Sequence, residues 1–212
     1  MNGNLALFLQ TEELDDAQQL ARQLTTLSQT DIQTISQVLD RWDDPQAVAN
    51  LLMHPDLIPA ERRGAALLRG LREPMTYTTL AAIVGLRGRV ASWLNADRAV
   101  IVERLQIIIF EARPVLADRA SLTLLEYARQ TDADRLIFLL GYPGEIVQHN
   151  VLLALVRLLG GEKTRARVEA AITAKRVTQA GWDFAAAHLD TLLLDDLPLL
   201  SYIPNRSDFP VG

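Results

Sequence analysis

Apolar residues return every three or four positions along most of this chain, and that spacing predicts an all-α protein. Leu14, Ala17, Leu20, Ala21, Leu24 and Leu27 make one stripe, with Thr11 placed to cap it. Glu12, Glu13, Asp15 and Asp16 suit the positive end of the same helix. Ile32, Ile35, Val38, Leu39 and Trp42 give a second helix, from about Asp31 to Trp42. Asp44-Pro45 reads as an N-cap followed by proline at the first helical position, opening a short helix over 46–53. His54-Pro55-Asp56 breaks that helix, Pro59 opens AERRGAALLRGL, and TYTTLAAIV forms a third helix. The rhythm returns with helices near 89–95, over 97–112 and from Pro114, and again over 132–140, 144–159 and 163–175. A last helix is predicted over 182–195. Beyond it, the proline-bearing stretch DLPLLSYIPNRSDFPVG has no periodicity and reads as an extended or disordered tail. AVIVERLQIIIF is rich in β-branched residues and can be read as a strand, but some fourteen residues without a breaker favour a helix.

The chain also resembles itself. Displaced by 88 residues, the stretches 44–71 and 132–159 share nine of 28 positions without a gap. The pairs are Asp44/Asp132, Leu51/Leu139, Leu52/Leu140, Pro55/Pro143, Ile58/Ile146, Ala66/Ala154, Leu67/Leu155, Arg69/Arg157 and Leu71/Leu159. Eighty-eight is twice 44, and a period near 44 falls within the roughly 40–47 residues of HEAT and armadillo units. Three units follow: 44–86, 87–131 and 132–176. The middle one shares the helix order but little identity. One helical hairpin cannot cover its own apolar face, so units of this kind stack. The acidic hairpin in 1–43 is then an N-terminal cap on the repeat region 44–195. The tail is 196–212, and the whole is one structural domain.

PAERRGAALLRGL resembles the second helix of a HEAT repeat, on the residues Arg62, Arg63, Ala65, Ala66, Leu67 and Leu68. The copy at 143–159 departs from it, with His149, Asn150, Val151 and Leu152 in place of the basic-then-small run. The three-helix unit looks more like armadillo. The likeness covers about 44–176 at superfamily level. It implies a short α-solenoid, and by analogy of fold alone a scaffold for proteins or peptides.

Composition changes this picture little. With 49% apolar and 22% charged residues, the chain has ample material for a core. No apolar run approaches the roughly 18–20 residues of a membrane span. The first residues lack the basic start and cleavage pattern of a signal peptide, so a cytoplasmic location is expected. Cysteine is absent, and the three histidines, His54, His149 and His188, are far apart in sequence, leaving no ready metal set and no expected cofactor. The charge of −5 is uneven: residues 11–44 carry −6 and the rest +1. That balance argues against a nucleic-acid partner.

Candidate chemistry is thin. Asp40, Asp43 and Asp44 can share a helix face and attract a divalent cation, but Asp44 reads first as a cap. Asp195-Asp196 reads as a helix end, and Gly160-Gly161 as a helix terminator. No nucleophile elbow or phosphate loop is present in the sequence. Trp42, Trp93 and Trp182 fall on apolar faces and read as core. The arginines are the candidate binding surface: Arg62, Arg63, Arg69, Arg87 and Arg89 (with Arg72) in one group, Arg165 and Arg167 (with Lys163, Lys175 and Arg176) in another. Aligned by stacking, they would suit phosphates or an acidic peptide, including the acidic hairpin of a second copy. Tyr202, Ile203 and Phe209 of the tail can dock in a groove as a linear segment.

The leading expectation is therefore a non-enzymatic interaction or scaffold module whose partner is a protein, a peptide or itself. The alternatives are a helical-repeat nucleic-acid binder of the DNA-glycosylase kind, and a metal-dependent helical enzyme.

Overall fold

Twelve α-helices and no strand form among the described residues, which are 2–90, 93, 95–111 and 113–189 of a computed structural model. The fold is all-α. The predicted helix end at 190–195 and the tail 196–212, with Tyr202, Ile203 and Phe209, lie outside the described residues. Among the described residues, no helix is long and apolar enough to cross a membrane.

The chain divides into two compact units, 1–104 and 105–212. The first holds α1 (Gly3–Gln10), α2 (Leu14–Gln23), α3 (Gln29–Arg41), α4 (Pro45–Met53), α5 (Ala60–Gly70), α6 (Thr76–Leu86) and the start of α7 (Asn95–Glu111). The second holds the rest of α7 with α8 (Pro114–Tyr127), α9 (Ala133–Leu139), α10 (Glu145–Leu159), α11 (Gly161–Thr173) and α12 (Gln179–His188).

α4 is the hub of the first unit. Six of its nine residues, Ala47 to Leu52, are buried, and α1, α3, α5 and α6 pack around it. Asp44 caps it as expected, its Oδ1 accepting from the Ala47 N–H at 3.0 Å. The approach of α5 and α6 to α4 is set by glycine. A Cβ on Gly85 would lie 1.9 Å from the Leu52 carbonyl oxygen, and one on Gly70 would lie 2.7 Å from a Leu52 methyl and 2.8 Å from Ala82 Cβ.

The N-terminus departs from expectation. Thr11 does not cap a long helix; it ends α1, a helix that the near-continuous apolar run Leu5–Leu9 did not advertise by periodicity. α2 then begins after Glu13 with no side-chain cap. Leu5, Phe8 and Leu9 of α1 are buried, whereas α2 buries only Ala17, so α1 carries more of the core than α2.

α3 begins at Gln29, earlier than the sequence suggests, because Ser28 and Asp31 form a reciprocal capping box. The buried Asp31 carboxylate accepts from the Asn2 N–H at 2.8 Å, the Ser28 N–H at 3.0 Å and the Ser28 hydroxyl at 2.7 Å. These donors, Asn2 first, hold its pKa below the usual carboxylate value. A lowered pKa in the fold stabilises it above the unfolded value, and that contribution fades as pH falls from about 4 through the lowered pKa. Asp31→Asn should therefore melt below the parent at pH 7, with the gap closing towards pH 2; a gap independent of pH in thermal melts would contradict this.

AVIVERLQIIIF lies within α7. Ile101, Val102, Leu105, Ile108 and Ile109 are buried at helical spacing, while Phe110 is exposed, so the run is one-sided in the manner of a helix. α10 is the hub of the second unit, packed by α8, α9, α11 and α12, and it buries Val147, Gln148 and Asn150 to Leu155. It ends at Gly160, whose φ of 83° is left-handed territory.

The two self-similar stretches both show a short helix, a break and a longer helix: α4 then α5, and α9 then α10. Leu51/Leu139, Leu52/Leu140, Ala66/Ala154 and Leu67/Leu155 are buried in both. Their surroundings differ. α5 packs most extensively on α6, the helix that follows it, whereas its counterpart α10 packs most extensively on α8, which precedes it. The positions matching Gly70 and Gly85 are Leu158 and Thr173, too large for the same close approach. Ile58 is 1% exposed, but its match Ile146 is 56% exposed.

Candidate functional site

A concavity of about 640 Å³ lies in the second unit, between α8, α10 and α12. Val115 and Leu122 of α8, Ile146 of α10 and Phe184 of α12 supply its apolar walls. Asp118, Arg119, Glu145, His149 and His188 stand among them.

Polar ties beneath the groove fix its walls. The buried Asn150 donates from Nδ2 to the Ser121 hydroxyl at 2.9 Å, and that hydroxyl donates to the Asp118 carbonyl at 2.8 Å, joining α10 to α8. Gln148, also buried, donates to the Leu140 carbonyl at 2.9 Å. α12 reaches that same carbonyl through Gly181, where a Cβ would lie only 2.6 Å from the oxygen. Thr178 caps α12 by accepting from the Gly181 N–H at 3.1 Å. Two turns on, His188 Nδ1 donates to the Phe184 carbonyl at 2.8 Å, and its ring stacks on Phe184 at 4.3 Å.

Electrostatically the groove is mixed. Burial raises the Asp118 pKa above the usual carboxylate value, against the pull of Arg119. Among the described residues, no three His, Asp or Glu side chains gather so as to hold a metal ion. The make-up is that of a surface for an apolar segment with polar flanks. An exposed aromatic cluster lies elsewhere in this unit: Phe110 (47% exposed) and Phe138 (57%) have ring centroids 5.4 Å apart, and Tyr142 stands 6.4 Å from Phe110.

The predicted arginine surface is largely committed to the protein itself. Arg62 pairs with Asp40 and donates to the Ser36 carbonyl at 3.0 Å. Arg69 lies over the Trp42 ring at 4.2 Å, donates to the Leu39 carbonyl at 3.4 Å and sits 3.8 Å from Glu73. Both arginines thus tie α5 to the acidic α3, so the opposite charges meet within one chain. Arg63 donates to the Ile58 carbonyl at 3.2 Å, and Arg89 grips Asp56 with two hydrogen bonds of 2.7 and 2.6 Å. Arg89, first, and Arg63 lower the Asp56 pKa. Arg167 lies 3.8 Å from Asp134, and Arg87 and Arg165 are engaged as well. Of the acidic trio, Asp40 is the partner of Arg62 and Asp44 is a helix cap. None of the three tryptophans is fully buried; Trp42 closes α3 in left-handed conformation, with φ 55°, under Arg69.

His54 faces the edge of Phe8 at 5.7 Å, and burial lowers its pKa. Sequence reasoning singled out His149 and Asn150 but missed Ile146, Phe184 and His188 as parts of one groove. They lie on two helices more than 35 positions apart, and only the packing of α12 on α10 brings them together. Comparison with known proteins finds no matching family model, no matching curated protein and no matching solved structure.

Proposed function

We propose that this chain is a non-enzymatic interaction module of the HEAT or armadillo kind, and that the α8–α10–α12 groove is where it receives a peptide segment of another protein or of itself. The observation that carries this reading is Ile146. In the first self-similar stretch the matching isoleucine is core; here it stands 56% exposed on the wall of an apolar groove. Large apolar side chains held open beside a concavity mark a binding surface. The repeated short-then-long helix order supports the repeat reading. The arginine surface supports a nucleic-acid partner less well, because its guanidinium groups already have acceptors.

Peptide display against the full chain should return apolar sequences. Ile146→Asp should weaken the selected peptides at least tenfold, about 1.4 kcal/mol, while α10 stays folded. Position 146 lies in the first turn of α10, where a carboxylate suits the helix dipole. Equal affinity in titration calorimetry would remove the groove from the binding surface.

A further inference from the structure

We infer that the groove's own ligand is the apolar segment that follows α12 in the same chain, residues 192–203; this rests on reading the groove as a peptide site. Two groove residues, Phe184 and His188, belong to the last two turns of α12, and Leu189, the next residue, is buried. The chain then continues for 23 residues, beginning one position past that wall. Eight of the fourteen residues from 190 to 203 are Leu, Ile or Tyr: Leu192, Leu193, Leu194, Leu197, Leu199, Leu200, Tyr202 and Ile203. This is far more apolar than an exposed tail requires. A surface groove with apolar walls a few residues away supplies what that segment needs to cover itself.

Reach and local preference agree. At about 3.3 Å per extended residue, Leu192 lies within about 13 Å of contour from His188 and Tyr202 within about 46 Å, so the segment can fold back without disturbing α12. Pro198 and Pro204 disfavour helix at Leu197 and Ile203, the residues before them, so the stretch holding Leu199, Leu200, Tyr202 and Ile203 is bounded at both ends by positions biased towards extended backbone. A segment already inclined to extend loses little freedom on entering a groove. Tethering places it there at an effective concentration in the millimolar range, so it holds the site against free peptides of equal intrinsic affinity.

The absence of cysteine makes the test direct. In the full chain, Ile146→Cys is combined with Ile203→Cys, and in a control Lys163→Cys, an exposed α11 position, is combined with Ile203→Cys. Under mild oxidation the groove pair should close within one chain at least tenfold faster than the control pair, since a disulfide needs Cβ atoms about 4 Å apart. Equal rates, or a link only between two chains, overturn the inference. As a second readout, the full chain carrying Leu199→Ser, Leu200→Ser, Tyr202→Ser and Ile203→Ser should bind display-selected peptides at least tenfold more tightly, because the tethered competitor is gone. Unchanged affinity overturns it too. If the cross-link fails while Ile146→Asp still abolishes peptide binding, the tail is not the ligand and the groove reading stands. If Ile146→Asp has no effect either, both fall.

Discussion

Gly85→Ala should lower the melting temperature of the full chain by roughly 4–8 °C. The added Cβ would sit 1.9 Å from the Leu52 carbonyl oxygen and 3.0 Å from a Leu67 methyl. The Leu52 carbonyl belongs to the backbone of α4 and cannot swing aside as a side chain can. α6 must therefore move away from the helix it covers. Overpacking of this kind costs about 3 kcal/mol or more, which exceeds the ~1 kcal/mol that alanine gains over glycine inside a helix. In a chain of this size each kcal/mol is worth about 2–4 °C. Gly64→Ala supplies the contrast: its Cβ would meet only the Trp93 ring at 3.4 Å, an ordinary contact, so the helix gain dominates and stability should rise by about 0.5–1 kcal/mol. Calorimetric melts of the two variants should move in opposite directions. A destabilised Gly64→Ala beside an unchanged Gly85→Ala would mean that α4 and α6 do not meet as described.

Asn50→Leu should release α1. The last carbonyls of a helix have no partner within it. Here the Asn50 Nδ2 donates to two of the exiting chain's oxygens, Phe8 at 2.7 Å and Thr11 at 2.9 Å. Gln46 supports the arrangement, its Nε2 donating to the Thr11 carbonyl and to Asn50 Oδ1, each at 3.0 Å. Leucine preserves the volume but leaves the buried Phe8 carbonyl without its donor, at a cost of about 3 kcal/mol. Because this loss falls on one docked helix, it should appear locally first. Hydrogen exchange over residues 3–10 should accelerate, and the link at 11–13 should become open to protease, before the rest of the unit responds. Uniform acceleration across both units would argue against a local role.

These two residues show where sequence reading succeeds and where it stops. Helices with a polar face, such as α3, and helices with a marked start, such as α4 after Asp44-Pro45, are legible from spacing and caps. α1 was not, because its apolar residues run together and its placement depends on Asn50 and Gln46, about forty positions away. The arginines are a related case. Their clustering in sequence suggested a common outward surface; in the fold Arg62, Arg69 and Arg63 also donate to the backbone carbonyls of Ser36, Leu39 and Ile58, which carry no residue-type signal, beside their carboxylate partners. The groove was out of reach because α12 joins it through its packing on α10, more than 35 positions back in the sequence for Ile146 and Phe184, and through the close contact of Gly181 with Leu140.

The small-residue seam where α5 and α6 meet α4 also bears on how the two self-similar stretches can change over time. Grafting 132–176 in place of 44–86 would press Leu158 and Thr173 into space that only Gly70 and Gly85 leave free, so the two stretches are not interchangeable. The first is locked by its seam and tolerates little drift there. The second, without that close fit, accommodates larger side chains at the same positions.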